Sequence, residues 1–299
     1  MAIHRRVFLL GAAAFCAAPF AASAQSGPAS TFAPRAKALV VSFGYADTPR
    51  NVLPNTHADR RLIVETMRRL RFGSVTEVGD DTPDAVLARI GAYVDSLASG
   101  DVAVLYFAGH GVQVANENLL ILPGAERFLS LRSLIDSVRA RTNMVIFFLD
   151  ACRNNPFEQL PQTGQVTRAL APTRGAEANF QTLALAELVG ARGAAPSGLR
   201  PFSLSGGGVK IVFSTDPNNV ALDGATPASV NSPFATALAQ RLLERRSLDD
   251  VLSMTTGDVL GATGGAQSPW SQGSIDRPIF LAGPPVRRNP ARPPFQIPG

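Results

Sequence analysis

Two cysteines and three histidines are all that 299 residues contain of either type, and the first 24 residues hold one of each. A structural zinc centre built from Cys and His needs four ligands, more than His57, His110 and Cys152 provide, and no CxxC pair occurs. Lysine is confined to Lys37 and Lys210, and no stretch interleaves arginines with aromatics, so the net charge of +5 is not a nucleic-acid footprint. Long apolar runs are missing too. The one candidate, Val7 to about Ala18, is shorter than the ~20 residues that span a bilayer, and Pro19 interrupts it. No acidic residue precedes Ala24. Hydrophobic residues make up 45% and charged residues 17%, which excludes a wholly disordered chain.

What the first residues do contain reads as an export signal. Arg5-Arg6 opens the apolar stretch, and Ala22-Ser23-Ala24 offers small residues two apart before Gln25. His4-Arg5-Arg6-Val7-Phe8-Leu9 is similar to a twin-arginine signal, with His4 where Ser or Thr is usual, so the Sec route also fits. The mature chain is expected to be periplasmic or secreted and free of the membrane. It would keep 26 basic and 23 acidic residues and a single thiol, Cys152, with no internal disulfide.

Hydrophobic periodicity then separates strands from helices. Lys37–Phe43, Ser74–Val78, Asp101–Ala108, Met144–Leu149, Val209–Ser214 and Pro278–Leu281 read as strands, with a short hairpin at Val112–Val114 and Leu119–Leu122. Asn55–Phe72, Pro83–Leu97, Phe128–Arg141, Pro233–Arg245 and Leu248–Leu260 read as helices, with a weaker helical hint at Thr182–Leu188. The alternation predicts an α/β fold, a mainly parallel sheet with helices on both faces. Residues 154–208 are rich in Pro, Gly, Ala and Arg and carry no strong pattern, as expected of a functional or mobile segment. Ser205-Gly206-Gly207-Gly208 lacks the spacing of a nucleotide loop.

Two buried runs end in chemistry. Val102–Ala108 leads into Gly109-His110-Gly111, and Met144–Leu149 leads into Asp150-Ala151-Cys152-Arg153. In parallel sheets the carboxyl ends of strands converge on the ligand crevice, and neighbouring strands lie only ~4.8 Å apart. The mature chain's one thiol and one of its two histidines therefore share an edge. Cys152 as nucleophile, His110 as proton carrier, and the N–H groups of Gly111 and Cys152 as an oxyanion hole would complete an acyl-transfer site. The glycines are expected to turn the backbone sharply there. The plainer reading is a core cysteine beside a satisfied strand-end histidine.

Tyr106-Phe107-Ala108-Gly109-His110-Gly111 and Asp150-Ala151-Cys152-Arg153 resemble the two catalytic motifs of the caspase-like cysteine peptidases, most closely those of the bacterial metacaspase (orthocaspase) branch. The likeness continues through Leu53–Asp59, Phe213–Pro217, Asn231–Phe234 and Gln267–Trp270, so it spans residues 36–283. It implies a caspase-hemoglobinase fold with a His–Cys dyad, a large-subunit-like part at 36–157, a linker at 158–208 and a small-subunit-like part at 209–283. Residues 284–299 form a Pro-rich tail.

The resemblance also implies cleavage after Arg or Lys, with acids at positions matching Asp59 and Asp150. Ser214 is expected to line the same substrate site. Caspases that cut after Asp carry an arginine in the stretch after their Ser-Thr motif; here Asn218–Asp223 has none. Asp59 could instead complement a helix N-terminus and Asp150 cap a turn. His57 reads as surface or pocket rim, and Trp270 as core or groove wall. No cofactor is expected. Calcium activation rests on the family alone, since Asp80-Asp81 lacks EF-hand spacing. Partners would be peptides or proteins with exposed Arg. A catalytically silent caspase-fold binding module and another Cys–His acyl hydrolase are the rival readings. Arg168, Arg174, Arg192 and Arg200 make the linker a candidate for self-cleavage, above all after Arg174 or Arg192.

Export gives the first test. N-terminal sequencing of periplasmic protein should begin at Gln25, and changing Arg5-Arg6 to Lys-Lys should block export by the twin-arginine route. Protein retained in the cytoplasm with Met1 intact contradicts the export reading.

Overall fold

A computed structural model describes residues 35–47, 52–114, 117–124, 127–152, 182–184, 199, 207–216 and 221–285. The expected signal at 1–24, most of the 158–208 linker with its cleavage candidates, and the tail from 286 lie outside the described residues.

Nine strands and five helices are described: β1 (Ala36–Ser42), α1 (Thr56–Arg69), β2 (Ser74–Val78), α2 (Pro83–Ser96), β3 (Val102–Val114), β4 (Glu117–Ile121), β5 (Arg127–Ser130), α3 (Leu131–Arg139), β6 (Met144–Cys152), β7 (Thr182–Ala184), β8 (Val209–Phe213), α4 (Pro233–Leu242), α5 (Leu248–Ala262) and β9 (Trp270–Ser274). The main sheet runs β2-β1-β3-β6-β8-β9, parallel throughout except for β9. Strand β3 outruns β1. Its first seven residues pair with β1, and from Gly111 onward it pairs antiparallel with β4, which leads on to β5 and β7. The α/β sheet with helices on both faces is as expected.

Strand alternation explains the layers. Val102, Val104, Tyr106 and Ala108 pack with Ile63 and Met67 of α1, Phe234 and Leu238 of α4 and Val251 of α5. Ala103, Leu105 and Phe107 pack on the other face with Val86 and Ile90 of α2 and Leu134 and Val138 of α3. A strand covered on both sides must be apolar at every position, which is why β3 and β6 read as unbroken runs. Helix starts are set by hydroxyl caps: Thr82, Ser130, Ser232 and Ser247 each accept a backbone N–H of their own first turn, and Pro83 and Pro233 follow two of them.

Three expectations need correction. Phe128–Arg141 is not one helix. Arg127–Ser130 pairs with β4, and Ser130 both ends the strand and caps α3, so the apolar residues of two elements merge into one period. Thr182–Ala184 is a strand against β5 rather than a helical start. Pro278–Leu281 is not the last strand: Ile279 and Leu281 are buried, but Ile279 gives its carbonyl to Leu248 N–H at the start of α5. The sheet instead ends at β9, whose Trp-Ser-Gln-Gly-Ser sequence carries no β signal.

Gly273 lets β9 lie against β8. Its φ is +96°, and an added Cβ would sit 2.1 Å from the Val209 carbonyl oxygen. Gly273→Ala should therefore cost roughly 1–3 kcal/mol of stability, read as a lower urea midpoint. An unchanged midpoint would show that β9 is not held this tightly.

Candidate active site

The pairing of β3 with β6 builds the site. It holds nine successive residue pairs, from Val102 opposite Met144 to Ala108 opposite Asp150, Gly109 opposite Ala151 and His110 opposite Cys152. The two residues singled out for chemistry thus occupy directly facing register positions on adjacent strands. The expected sharp turn at the glycines is absent: β3 continues to Val114. Those glycines serve close packing instead. A Cβ on Gly109 would lie 2.8 Å from the Phe107 ring and 2.9 Å from Tyr45 Oη, and one on Gly111 would lie 2.7 Å from Leu199 Cδ1.

His110 is only 9% exposed. Its ring lies against Tyr45, centroids 4.7 Å apart, and its backbone N–H donates to Tyr45 Oη at 3.0 Å. Tyr45 Oη in turn donates to the Ile121 carbonyl at 2.7 Å. Tyr45 itself adopts φ +54°, which a bulky side chain takes only when surrounding contacts hold it. Backbone strain is thus spent on seating the aromatic ring beside the histidine. Sequence reading had no signal for this contact, since Tyr45 and His110 are 65 residues apart.

A narrow recess opens beside the two strands, lined by Ala108 and Gly109 of β3, Asp150 of β6, Thr56 and Asp59 of α1, and Asp223 and Ser232 from the loop before α4. Asp59 is 1% exposed. It lies in the first turn of α1, where a negative charge complements the helix N-terminus, and its Oδ1 accepts from Asn231 Nδ2 at 2.8 Å and from Ser232 N–H at 2.9 Å. Asp150 lies within β6 rather than at a turn. Its Oδ2 accepts from the Tyr106 hydroxyl at 3.1 Å and the Ser232 hydroxyl at 2.5 Å. Ser232 therefore joins both carboxylates while its Oγ also caps α4 through Ala235 N–H at 2.9 Å. The buried Ser214 hydroxyl stands near Asp150, outside hydrogen-bond geometry but close enough to favour its charge.

Burial raises the pKa of both carboxyls, and each then feels another negative charge: Asp59 that of Asp150, and Asp150 that of Asp223. The hydrogen bonds from Asn231 and Ser232 pull Asp59 back down, as those from Ser232 and Tyr106 do for Asp150. Burial, then the charge of Asp150, pushes the Tyr106 hydroxyl well above the usual range, so it stays a donor.

Other expected residues fall elsewhere. His57 lies in the first turn of α1, with its Nε2 3.0 Å from Asp80 Oδ2. Trp270 stacks on Phe213 at 4.7 Å and lines a separate recess with Lys210 and Asp249. Among the described residues no cluster of His, Cys, Asp and Glu is arranged to hold a metal ion.

A family model described as "Caspase domain" matches residues 35–280. This chain belongs to the caspase domain family. The solved caspase-1 from Spodoptera frugiperda matches with a TM-score of 0.55 at 14% identity, over 84% of this chain and 92% of that one. The Drosophila initiator caspase Dronc matches with a TM-score of 0.52 at 11% identity, over 84% and 85%. At such identities these two show the fold alone. No curated protein matches this sequence.

The raised carboxyl pKa values make a signed prediction. Both groups hold protons more tightly folded than unfolded, so stability from this pair is fullest below about pH 4 and is lost as pH rises through the raised values. Asp59→Asn keeps an acceptor for Asn231 and Ser232 and removes one charge. At pH 8 it should be more stable than wild type by roughly 1–3 kcal/mol, a difference that shrinks toward pH 4. Urea unfolding at the two pH values measures this, and a variant less stable at pH 8 contradicts it.

Proposed function

We propose that this caspase-family chain is a cysteine endopeptidase of the metacaspase type, cutting after Arg or Lys with a His110–Cys152 dyad. The observation that carries the reading is the β3–β6 register, which sets positions 110 and 152 opposite each other, with neighbouring Gly109 and Asp150 lining a recess shared with Asp59 and Asp223. A peptide laid across the strand ends would place its side chain in that recess and its carbonyl at Cys152.

In the proposed reaction His110 takes the Cys152 proton and the thiolate attacks the carbonyl carbon. The N–H groups of Gly111 and Cys152 receive the oxyanion. His110 then protonates the leaving amine as the C–N bond breaks, and water, deprotonated by the same imidazole, hydrolyses the thioester.

Charge supports the choice of substrate. Among the described residues no salt bridge engages Asp59, Asp150 or Asp223. Asp59 Oδ2 and Asp150 Oδ1 take no hydrogen bond from described residues, leaving acceptors for a guanidinium. A cation entering the recess would lower both carboxyl pKa values and release protons, so KM for Arg peptides is expected to fall as pH rises through them. An acidic substrate side chain would meet like charge instead.

Turnover of fluorogenic peptides tests this. Cys152→Ala and His110→Ala should each lower kcat/KM by about 10³-fold or more, and Arg peptides should exceed matched Asp peptides by at least about 10²-fold. Full turnover in either variant overturns the dyad, and a preference for Asp peptides overturns the acidic pocket.

A further inference from the structure

Strand β3 changes partner along one side, and the histidine falls in the gap. Pairing with β1 ends at Ala108, and pairing with β4 begins at Gly111, so neither strand covers Gly109 and His110. The last bond from the β1 side is the Phe43 N–H donating to the Ala108 carbonyl at 3.0 Å. A parallel ladder would next offer the Phe43 carbonyl to the His110 N–H. Here the chain turns away, and that carbonyl accepts from the Thr56 hydroxyl at 3.0 Å. Tyr45 Oη fills the missing rung. It accepts the His110 N–H at 3.0 Å and donates to the Ile121 carbonyl of β4 at 2.7 Å, tying the two strands across the gap.

The turn that brings Tyr45 there is itself clamped. The Gly44 N–H donates to both Asp80 carboxylate oxygens at 3.1 Å, and the Gly44 carbonyl accepts the Leu53 N–H at 2.9 Å. Asp80 is held in turn by His57 Nε2 at 3.0 Å. On the core side the Phe43 ring meets Tyr45 edge-on at 6.1 Å and Phe107 at 5.7 Å. Held this way, Tyr45 keeps φ +54°. Satisfying one N–H would need only a hydroxyl. The aromatic ring goes further and lies on the imidazole of His110, centroids 4.7 Å apart and planes 36° from parallel.

We propose that Tyr45 is a positioning residue for His110: its hydroxyl fixes the backbone of the histidine where the ladder is broken, and its ring limits the rotation of the imidazole. This rests on the proposed His110–Cys152 dyad, and it makes Asp80, through Gly44, the clamp that aims Tyr45. Tyr45 acts through His110 and takes no part in bond breaking. Its removal is therefore felt in the chemical step and spares substrate binding.

Separating kcat from KM distinguishes that role from a structural one. Tyr45→Phe keeps the ring and loses the hydroxyl, and Tyr45→Leu loses both. On Arg peptides kcat should fall about tenfold in the first and about 10²-fold in the second, with KM within about twofold. Asp80→Ala, which frees the Gly44 N–H, should lower kcat about threefold, and Asp80→Asn, which keeps an acceptor, should restore it. Gly273→Ala, destabilised at β9, should leave kcat unchanged. Alkylation reads the same positioning without turnover. Iodoacetamide should label Cys152 about tenfold more slowly in Tyr45→Leu, because an imidazole free to rotate activates the thiol less.

Wild-type kcat and wild-type labelling in a folded Tyr45→Leu overturn the proposal while leaving the peptidase reading intact. A loss of kcat in Gly273→Ala equal to that in Tyr45→Phe also overturns it, by showing that destabilisation alone lowers turnover. Slowed labelling in Tyr45→Leu, in a protein that cleaves no Arg peptide, upholds the positioning and contradicts the peptidase reading alone. Should Tyr45→Leu fail to fold, Tyr45→Phe gives the decision, and wild-type kcat in that variant overturns the proposal.

Discussion

The parallel ladder between β3 and β6 is the constraint on which the rest depends. Both strands are sealed between helices, so each residue has one face available to it, and slipping the register by one would turn every side chain to the opposite layer. Nine consecutive pairs hold the register. At one end they bury Val, Ile, Leu and Phe; at the other they deliver Asp150 beside Ala108 and position 152 beside His110. The apolar core and the polar edge are the same strands, read from different ends. Precision at the edge is paid for by the core.

Above that ladder the structure tolerates features that cost stability. Tyr45 sits at positive φ to reach His110, and two buried aspartates share a recess with a third. Ser232 makes the aspartates tolerable by giving its N–H to Asp59 and its hydroxyl to Asp150 while starting α4. Solvent would screen such a cluster, but burial leaves the charges exposed to each other. Backbone strain and buried acids with raised pKa values thus collect at one sheet edge, the kind of local cost that functional sites concentrate.

Much of this was legible in the sequence, for identifiable reasons. Strands β3 and β6 announce themselves because burial on both faces forbids polar residues, and His110 and Cys152 stand out because each type is so scarce. Asp59 and Asp150 came from motif resemblance, and they do meet in one recess. Asp223 carries no such signal: its partner Asn55 is remote in the chain, and a loop has no period to reveal its direction. Strand β9 was missed because an antiparallel edge strand held by backbone bonds can be polar, and β5 because Ser130 joins strand to helix without a break. Local pattern reports burial; it does not report which distant loops close over it.

The central claim is that one thiol and one acidic recess act on the same substrate residue. Treating the protein with an arginyl chloromethyl ketone peptide and measuring intact mass tests both at once, because the label must seat its cation before it meets the nucleophile. The account predicts a single adduct, mapped to Cys152, that forms more slowly with agmatine present and does not form with the aspartyl counterpart. An adduct elsewhere, or equal labelling by the aspartyl peptide, would contradict it.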